Sequence, residues 1–315
     1  MIENMLAPAV EVERLRKTYG DKVAVEDVSF RVEPGEVFGI LGPNGAGKTT
    51  TVESVCGLRV GDAGRVRVHG VDPWTDRDET TRIVGVQLQE SRLQPRITVR
   101  EALEMWAAFY DDPLPWSEPA ERLGLADHLD QRFGTLSGGQ QQRLSIALAL
   151  VGRPRVAILD ELSTGLDPRA RREVWSLVRD LRDRGTTVLL VTHGMEEAEE
   201  LCDRVAIIDA GSVRAIGTPA ELIGGAAAAT VTSFEPSEPV DLVALRELEG
   251  VADVRVDAGR VTVTGAEDAA VAVLARLASR GVVPHCLRVV DGSLDSAYLD
   301  LTLNSTDTTP AEETA

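Results

Sequence analysis

No stretch constrains this chain more than Gly42-Pro43-Asn44-Gly45-Ala46-Gly47-Lys48-Thr49, with Thr50 directly after it. Two glycines bracket four residues, and Lys-Thr follows at once. Glycine accepts the positive φ that lets a backbone curl until successive amides face one point, a concavity suited to an anion. A compact apolar run, Val37 to Leu41, precedes the loop. The stretch after it reads as a helix, whose positive end adds to the amide field. Such a loop must hang between a buried strand and a helix, so the chain is committed to an α/β architecture. In that setting Lys48 is expected to reach the β and γ phosphates of a nucleotide, and the Thr49 hydroxyl to ligate Mg²⁺. A ligand-free glycine turn is the plain alternative, and it leaves the Lys-Thr pair and the flanking strand unexplained.

The rest of the sequence supplies the sheet. Glu36 to Leu41, Arg155 to Leu159, Thr186 to Thr192 and Arg204 to Asp209 are short apolar runs of the kind central strands show. Longer stretches with helical period, such as Pro168 to Arg184, separate them, which is the pattern of a parallel sheet covered by helices. Two pieces read as antiparallel: Val28 to Val32 turning through Pro34-Gly35 into Glu36, and Val205 to Ile216 folded at Ala210-Gly211. The expected core is therefore mixed. Near Gly224-Gly225 the texture changes, and an alanine run followed by Pro236 and Pro239 reads as a linker. Beyond it, a helix at Asp241 to Glu249 and strands at Val251 to Val256 and Arg260 to Thr264 are expected. A helix at Glu267 to Arg280, a strand at His285 to Val290 and a helical turn near Leu294 to Leu303 complete a small α+β domain. The expected division is residues 1–225, then 226–304, then a disordered acidic tail at 305–315.

Charge narrows the partners. The 315 residues carry 33 basic and 51 acidic groups, a net charge of −18. A field of that sign repels nucleic acid and anionic lipid, so any phosphate must be held by a local device. Only Lys17, Lys22 and Lys48 are lysines, and residues 231–315 hold 15 acidic against 6 basic groups. No nucleic-acid partner is expected. The first thirty residues show no signal-peptide pattern, and no apolar run approaches the roughly 20 residues a membrane helix needs. Cys56, Cys202 and Cys286 have neither disulfide-framework nor metal-ligand spacing, as in a reducing cytoplasm.

Two further stretches carry chemistry. Val156-Ala157-Ile158-Leu159-Asp160-Glu161 is an apolar strand ending in two carboxylates. Asp160 is placed to hold Mg²⁺ through water, and Glu161 to polarise an attacking water; a helix-capping acidic pair is the alternative. In Leu136-Ser137-Gly138-Gly139-Gln140-Gln141-Gln142-Arg143, Ser137 and Gln140 have capping-box spacing. Leu144, Ala147, Leu148 and Val151 then recur at helical period. Gly138 and Gly139 sit where better helix formers would gain about 1 kcal/mol each. Bare amides at that helix start suit a second anion, one belonging to a partner's nucleotide because the first loop already serves this chain's own. An ordinary capped helix with two tolerated glycines fits the same letters.

Taken together, GPNGAGKTT at 42–50, LSGGQQQR at 136–143, VAILDE at 156–161 and the His of VTH at 191–193 resemble the ATPase subunits of ATP-binding cassette (ABC) transporters over roughly residues 10–225. The resemblance implies a P-loop NTPase cassette with a helical subdomain at about 90–153, and an enzyme that hydrolyses ATP with Mg²⁺. It implies that Tyr19 stacks on adenine and that Gln89 senses Mg²⁺ and the membrane partner. It places Asp167 in the loop crossing a dimer seam and His193 on the γ-phosphate. The nucleotide-contacting set it implies is Tyr19, Gly42, Asn44, Gly45, Gly47, Lys48, Thr49, Thr50, Ser137, Gly138, Gly139, Gln140 and Asp167. Thr49, Gln89 and Asp160 are the residues implied for Mg²⁺, and Glu161, His193 and Gln89 those for catalysis. Partners implied are a second copy of the ATPase and a separately encoded permease, met through Thr98 to Tyr110 at the cytoplasmic face of the membrane. Leu162 and Gly194 stand where proline and an aromatic residue are frequent in the family. The closing Gly292-Ser293-Leu294-Asp295-Ser296-Ala297-Tyr298-Leu299 is similar to the extension of daunorubicin-resistance exporters, which implies export of drugs, antibiotics or lipids. One rival class is a nucleotide-binding regulator with no turnover, against which the intact Glu161 argues; the other is a soluble cassette ATPase of translation or repair. Those types bring a second cassette or long coiled coils, and neither is visible here.

Overall fold

The computed structural model describes residues 7–87, 93–163, 165–225, 230–257, 259–266 and 268–290, with 293–294 and 297–298. They fall into two compact units, Met1–Thr218 and Pro219–Ala315. In the first, β1 (Val10–Tyr19), β2 (Lys22–Val32) and β3 (Val37–Leu41) lead into α1 (Lys48–Val55). Then come β4 (Ala63–Val68), α2 (Arg77–Ile83), β5 (Val84–Gln87), α3 (Val99–Ala107), α4 (Ser117–Arg122) and α5 (Gly138–Leu150). β6 (Val156–Asp160), α6 (Pro168–Asp183), β7 (Thr187–Val191), α7 (Met195–Leu201), β8 (Arg204–Asp209) and β9 (Ser212–Gly217) close the unit.

The strands form one sheet in the order β4-β1-β2-β9-β8-β3-β7-β6-β5. From β8 to β5 every neighbouring pair is parallel, whereas β4, β1 and β2 pair antiparallel. Burial explains the division. All five residues of β3, of β6 and of β7 are buried, as a strand covered on both faces requires. Each fully buried Ile or Leu there contributes about 1.5–3 kcal/mol of apolar transfer. α6 covers the sheet with a stripe of Ala170, Val174, Trp175, Leu177 and Val178, while α5 buries all of Leu144 to Leu150.

The mixed sheet and the hairpin of β8 with β9, turning at Ala210-Gly211, match expectation. The other expected hairpin does not form. Pro34-Gly35 does turn, with Glu36 N donating to Glu33 O at 3.2 Å. But β2 pairs with β1 and β9, and β3 with β7 and β8. A five-residue strand buried on both faces belongs at the parallel centre, and the alternating β2 cannot follow it there.

The second unit contains α8 (Pro219–Gly225), β10 (Thr230–Pro236), α9 (Leu242–Arg246), β11 (Val251–Asp257), β12 (Arg260–Gly265), α10 (Ala269–Ser279) and β13 (Pro284–Val290). Its sheet runs β11-β12-β10-β13. Val273 and Leu277 of α10 share a core with Phe234, Val261 and Val263. Residues read as linker thus supply a central strand. Thr230, Thr232 and Phe234 are buried in alternation with Val231 and Ser233, a period-two signal that Pro236, at the strand's last position, obscured. The tail expected at 305–315 and most of the turn expected at Leu294 to Leu303 lie outside the described residues.

Candidate nucleotide site

The loop after β3 takes the shape its glycines allow. Gly42, Gly45 and Gly47 have φ of 155°, 84° and 103°. A Cβ on Gly42 would stand 2.1 Å from Ile208 O, and one on Gly47 2.5 Å from Ala24 O. These positions are closed to any side chain. Lys48 folds back over the loop, its Nζ donating to Gly42 O at 2.7 Å and Pro43 O at 3.0 Å. Burial pulls its pKa down, and the nearby Asp160 and Glu161 carboxylates oppose that pull.

An open cleft of about 230 Å³ runs beside this loop. It brings together Tyr19, Asn44, Gly45, Gly47, Lys48, Thr49, Thr50, Asp160 and Glu161, with Lys22 and Ala24 completing the wall. Lys22, one of the chain's three lysines, is absent from the nucleotide-contacting set that the resemblance implies. Tyr19 is 41% exposed. The Lys17 ammonium and the Arg59 guanidinium lie 5.8 and 5.7 Å from its ring centroid, so a stacking base would meet a ring already flanked by cations.

The two carboxylates at the end of β6 are held differently. Asp160 is 3% exposed, and its Oδ2 finds no hydrogen-bond partner among the described residues. Burial first, then the Glu161 charge, pushes its pKa up to about 6 against the pull of Lys48. A buried carboxylate oxygen left unmatched beside a phosphate loop fits a hydrated cation. Among the described residues no cluster of three or more His, Cys, Asp or Glu could hold a metal alone, so phosphate oxygens and water would complete the shell. Glu161 has φ 52°, a left-handed conformation costing a non-glycine residue about 1–3 kcal/mol. Its N–H donates to Val191 O at 2.8 Å, and its Oε1 lies 3.3 Å from Nδ1 of the exposed His193.

The remaining described residues of the sequence-derived set lie away from the cleft in this chain. Ser137, Gly138, Gly139 and Gln140 do not line the cleft. The capping box is made in both directions: Ser137 Oγ accepts from Gln140 N at 3.3 Å, and Gln140 Oε1 accepts from Ser137 N at 2.8 Å. Asp167 caps α6, its Oδ1 accepting from the Arg169 and Ala170 amides at 2.9 Å, which lowers its pKa. Gln89 lies outside the described residues. Its neighbour Gln87 is buried in β5 and donates Nε2 to Asp160 O at 3.0 Å. Sequence reasoning passed over Gln142, whose Nε2 donates to the carbonyls of Glu161 and Leu162 at 3.2 and 3.3 Å.

With this geometry in hand, relatives become informative. The sequence profile of the ABC transporter family matches residues 25–164. The linearmycin resistance ATP-binding protein LnrL of Bacillus subtilis is 34% identical over 304 residues, spanning 93% of this chain and 98% of that protein. The chain belongs to the ABC transporter ATP-binding family. A Nod factor export ATP-binding protein I of Rhizobium etli is 39% identical over 248 residues, 77% of this chain and 78% of its own. The solved ATP-binding subunit of an ABC transporter superposes with a TM-score of 0.64 at 28% identity, covering 69% of this chain and 92% of its own. A dimeric cassette in a post-hydrolysis state bound to ADP and Pi gives 0.62 at 27% identity, over 66% and 98%. This ABC chain is an ATP-binding ATPase with the cassette fold. Cassettes of the family work as dimers with a membrane permease, and no described helix here is long and apolar enough to cross a membrane.

Proposed function

We propose that this chain is the ATP-hydrolysing subunit of an exporter of drugs, antibiotics or lipids. In this proposal it sits peripherally on the cytoplasmic face of the membrane against a separately encoded permease. Relatives named for Nod factor export and linearmycin resistance support the direction and the class of cargo and disfavour the soluble translation or repair type. The exposed Met105 in α3 and Phe109 just beyond it, 43% and 73% accessible, support the permease contact at Thr98 to Tyr110. Residues 1–225 would carry the nucleotide chemistry and 226–304 an accessory role.

One observation carries the mechanism. The cleft gathers Tyr19, Lys48, Thr49, Asp160 and Glu161, while Ser137 to Gly139 at the start of α5 do not line it. Two copies facing each other would complete both pockets, each ATP lying between Lys48 and Thr49 of one chain and Ser137 to Gly139 of the other. Tyr19 would receive the adenine, Asn44, Gly45 and Thr50 the phosphates, and Asp167 would lie at the seam. Mg²⁺, held by Thr49, Gln89 and the unmatched oxygen of Asp160, would supply charge neutralisation at the phosphates. Lys48 and the two helix starts stabilise the negative charge of the transition state. Glu161 accepts the proton of a water whose oxygen bonds to the γ-phosphorus as the bridging P–O bond breaks, releasing ADP and phosphate. His193, 3.3 Å from Glu161, orients that carboxylate and the water.

The test is Glu161→Gln. It is expected to bind ATP as the parent does, to lose hydrolysis by about 100-fold or more, and to accumulate as an ATP-bound dimer on gel filtration. Turnover at the parent's rate would remove Glu161 from the role of base.

A further inference from the structure

The same helix that presents Ser137 to Gly139 also touches the chain's own base. Gln142 lies one turn into α5, half-buried, with Nε2 3.2 Å from Glu161 O and 3.3 Å from Leu162 O. Two carbonyl oxygens face this amide, so its donating end must point at them. The contact is not isolated. Gly139, one turn earlier, leaves just enough room for Leu166: a Cβ there would stand 3.1 Å from Leu166 Cδ2. Arg143, next along, pairs with Glu173 of α6 at 3.7 Å. In the segment that runs into α6, the first turns of α5 thus meet Glu161, Leu162, Leu166 and Glu173. Within that segment Glu161 is left-handed, a conformation that persists only where its surroundings over-determine it. Val191 O anchors it on the amide side at 2.8 Å, and Gln142 holds its carbonyl side.

We propose that Gln142 is a positioning residue for Glu161, so that the helix aimed at a partner's nucleotide also sets the base of its own site. A shift of α5 when Ser137 engages the partner's phosphates would carry Gln142 with it. The Glu161 and Leu162 carbonyls would follow, and with them the Glu161 carboxylate. In a dimer this ties the base at one nucleotide to the occupancy of the other. The inference rests on the reading of Glu161 as the base.

The experiment uses the full-length chain, above the concentration at which ATP drives dimerisation, and reads kcat, KM for ATP and thermal midpoint. Gln142→Leu keeps the size and removes the donor. It is expected to lower kcat about tenfold with KM within about twofold of the parent, the pattern of a misplaced catalytic group. Gln142→Glu, which turns an oxygen toward two carbonyls, should fall further. Gln142→Lys, whose ammonium can donate to both, should recover to within about threefold of the parent. In single-turnover assays, adding Gln142→Leu to Glu161→Gln should cost nothing more, because the two act through one group.

Parental kcat in Gln142→Leu would overturn the proposal. So would a fall in kcat matched by a rise in KM or a drop in thermal midpoint, no recovery in Gln142→Lys at parental stability, or losses that multiply in the double variant. If Gln142→Leu does not fold, the Glu and Lys variants decide by the same criteria. Failure of the underlying reading looks different, because Glu161→Gln would then itself turn over like the parent. An inactive Glu161→Gln beside a fully active Gln142→Leu sinks the positioning role alone.

Discussion

Two glycine-rich segments in this chain open helices, and they are built to opposite rules. In the loop before α1 the glycines are demanded from within. Three have positive φ, and the backbone of β8 or β2 leaves no room for a Cβ on Gly42 or Gly47. At the start of α5, Gly138 is helical, and among the described residues nothing beyond its own helix and chain neighbours lies within 4 Å of where its Cβ would be. The first loop also faces its own lysine and carboxylates across a cleft, while the second lies outside that cleft. A residue that costs helix stability and has no internal reason points to a reason outside the molecule. The contrast between a loop whose shape is dictated by its own chain and one left for another chain can be tested at four points.

The largest effect is expected at Gly42. Gly42→Ala forces a methyl group to within 2.1 Å of Ile208 O at a φ that alanine avoids. A destabilisation of about 3 kcal/mol and loss of ATP binding should appear together in denaturant melts and nucleotide titrations. A variant as stable as the parent would mean the loop is slack, and the first half of the comparison fails.

Ser137→Arg comes next. It removes a cap and fills the donor face of α5 while touching nothing in the cleft. Hydrolysis should fall about 100-fold, equivalent to about 2.7 kcal/mol of transition-state stabilisation. ATP affinity of the dilute, undimerised chain should stay within about twofold. Equal loss of monomer binding would move Ser137 into the chain's own pocket and erase the distinction.

The third test uses the charge that only the first site carries. Asp160 has a folded-state pKa raised to about 6, from an ordinary value of 3.8. Between those values the folded chain binds the proton more tightly than the unfolded one. Stability is therefore fully present below about pH 4 and is lost as pH rises through about 6. A shift of that size corresponds to about 2–3 kcal/mol. In nucleotide-free melts from pH 4 to 7, Asp160→Asn should flatten this part of the parent's profile. Parallel profiles would show that the buried carboxylate titrates normally, and the argument from its unmatched oxygen would lose its support.

Much of the first site was legible because its chemistry is local. Gly42 to Thr50 and the pair Asp160-Glu161 each sit within a few residues and carry their own spacing. The capping box of Ser137 and Gln140 is a sequence pattern in its own right, and both of its bonds are made. Contacts between distant segments left no comparable mark. Gln142 reads as one more glutamine in a run of three, and only the packing of α5 against the end of β6 gives it a target 19 residues away. Lys22 reaches the cleft through the pairing of β1 with β2. The same holds for the fold: burial at both faces of β3 was visible as an apolar run, but its neighbours were not. The strand β10 is masked in the sequence because Pro236, a residue that cannot donate to a ladder, ends a short alternation.

The smallest effect is the most diagnostic, because its sign differs between stability and activity. Gly138→Ala adds a methyl group to open space at a helical position, so it should stabilise the chain by up to about 1 kcal/mol. Gly139→Ala is a less clean probe, since its Cβ would press on Leu166 Cδ2 at 3.1 Å. If the amides of Gly138 and Gly139 serve a partner's γ-phosphate, the same methyl group stands in that phosphate's approach. Hydrolysis should then fall about fivefold while the melting temperature rises and monomer ATP affinity holds. An ordinary capped helix predicts the gain in stability with no loss of rate. Only a helix start kept bare for another molecule predicts that a more stable protein is a slower enzyme.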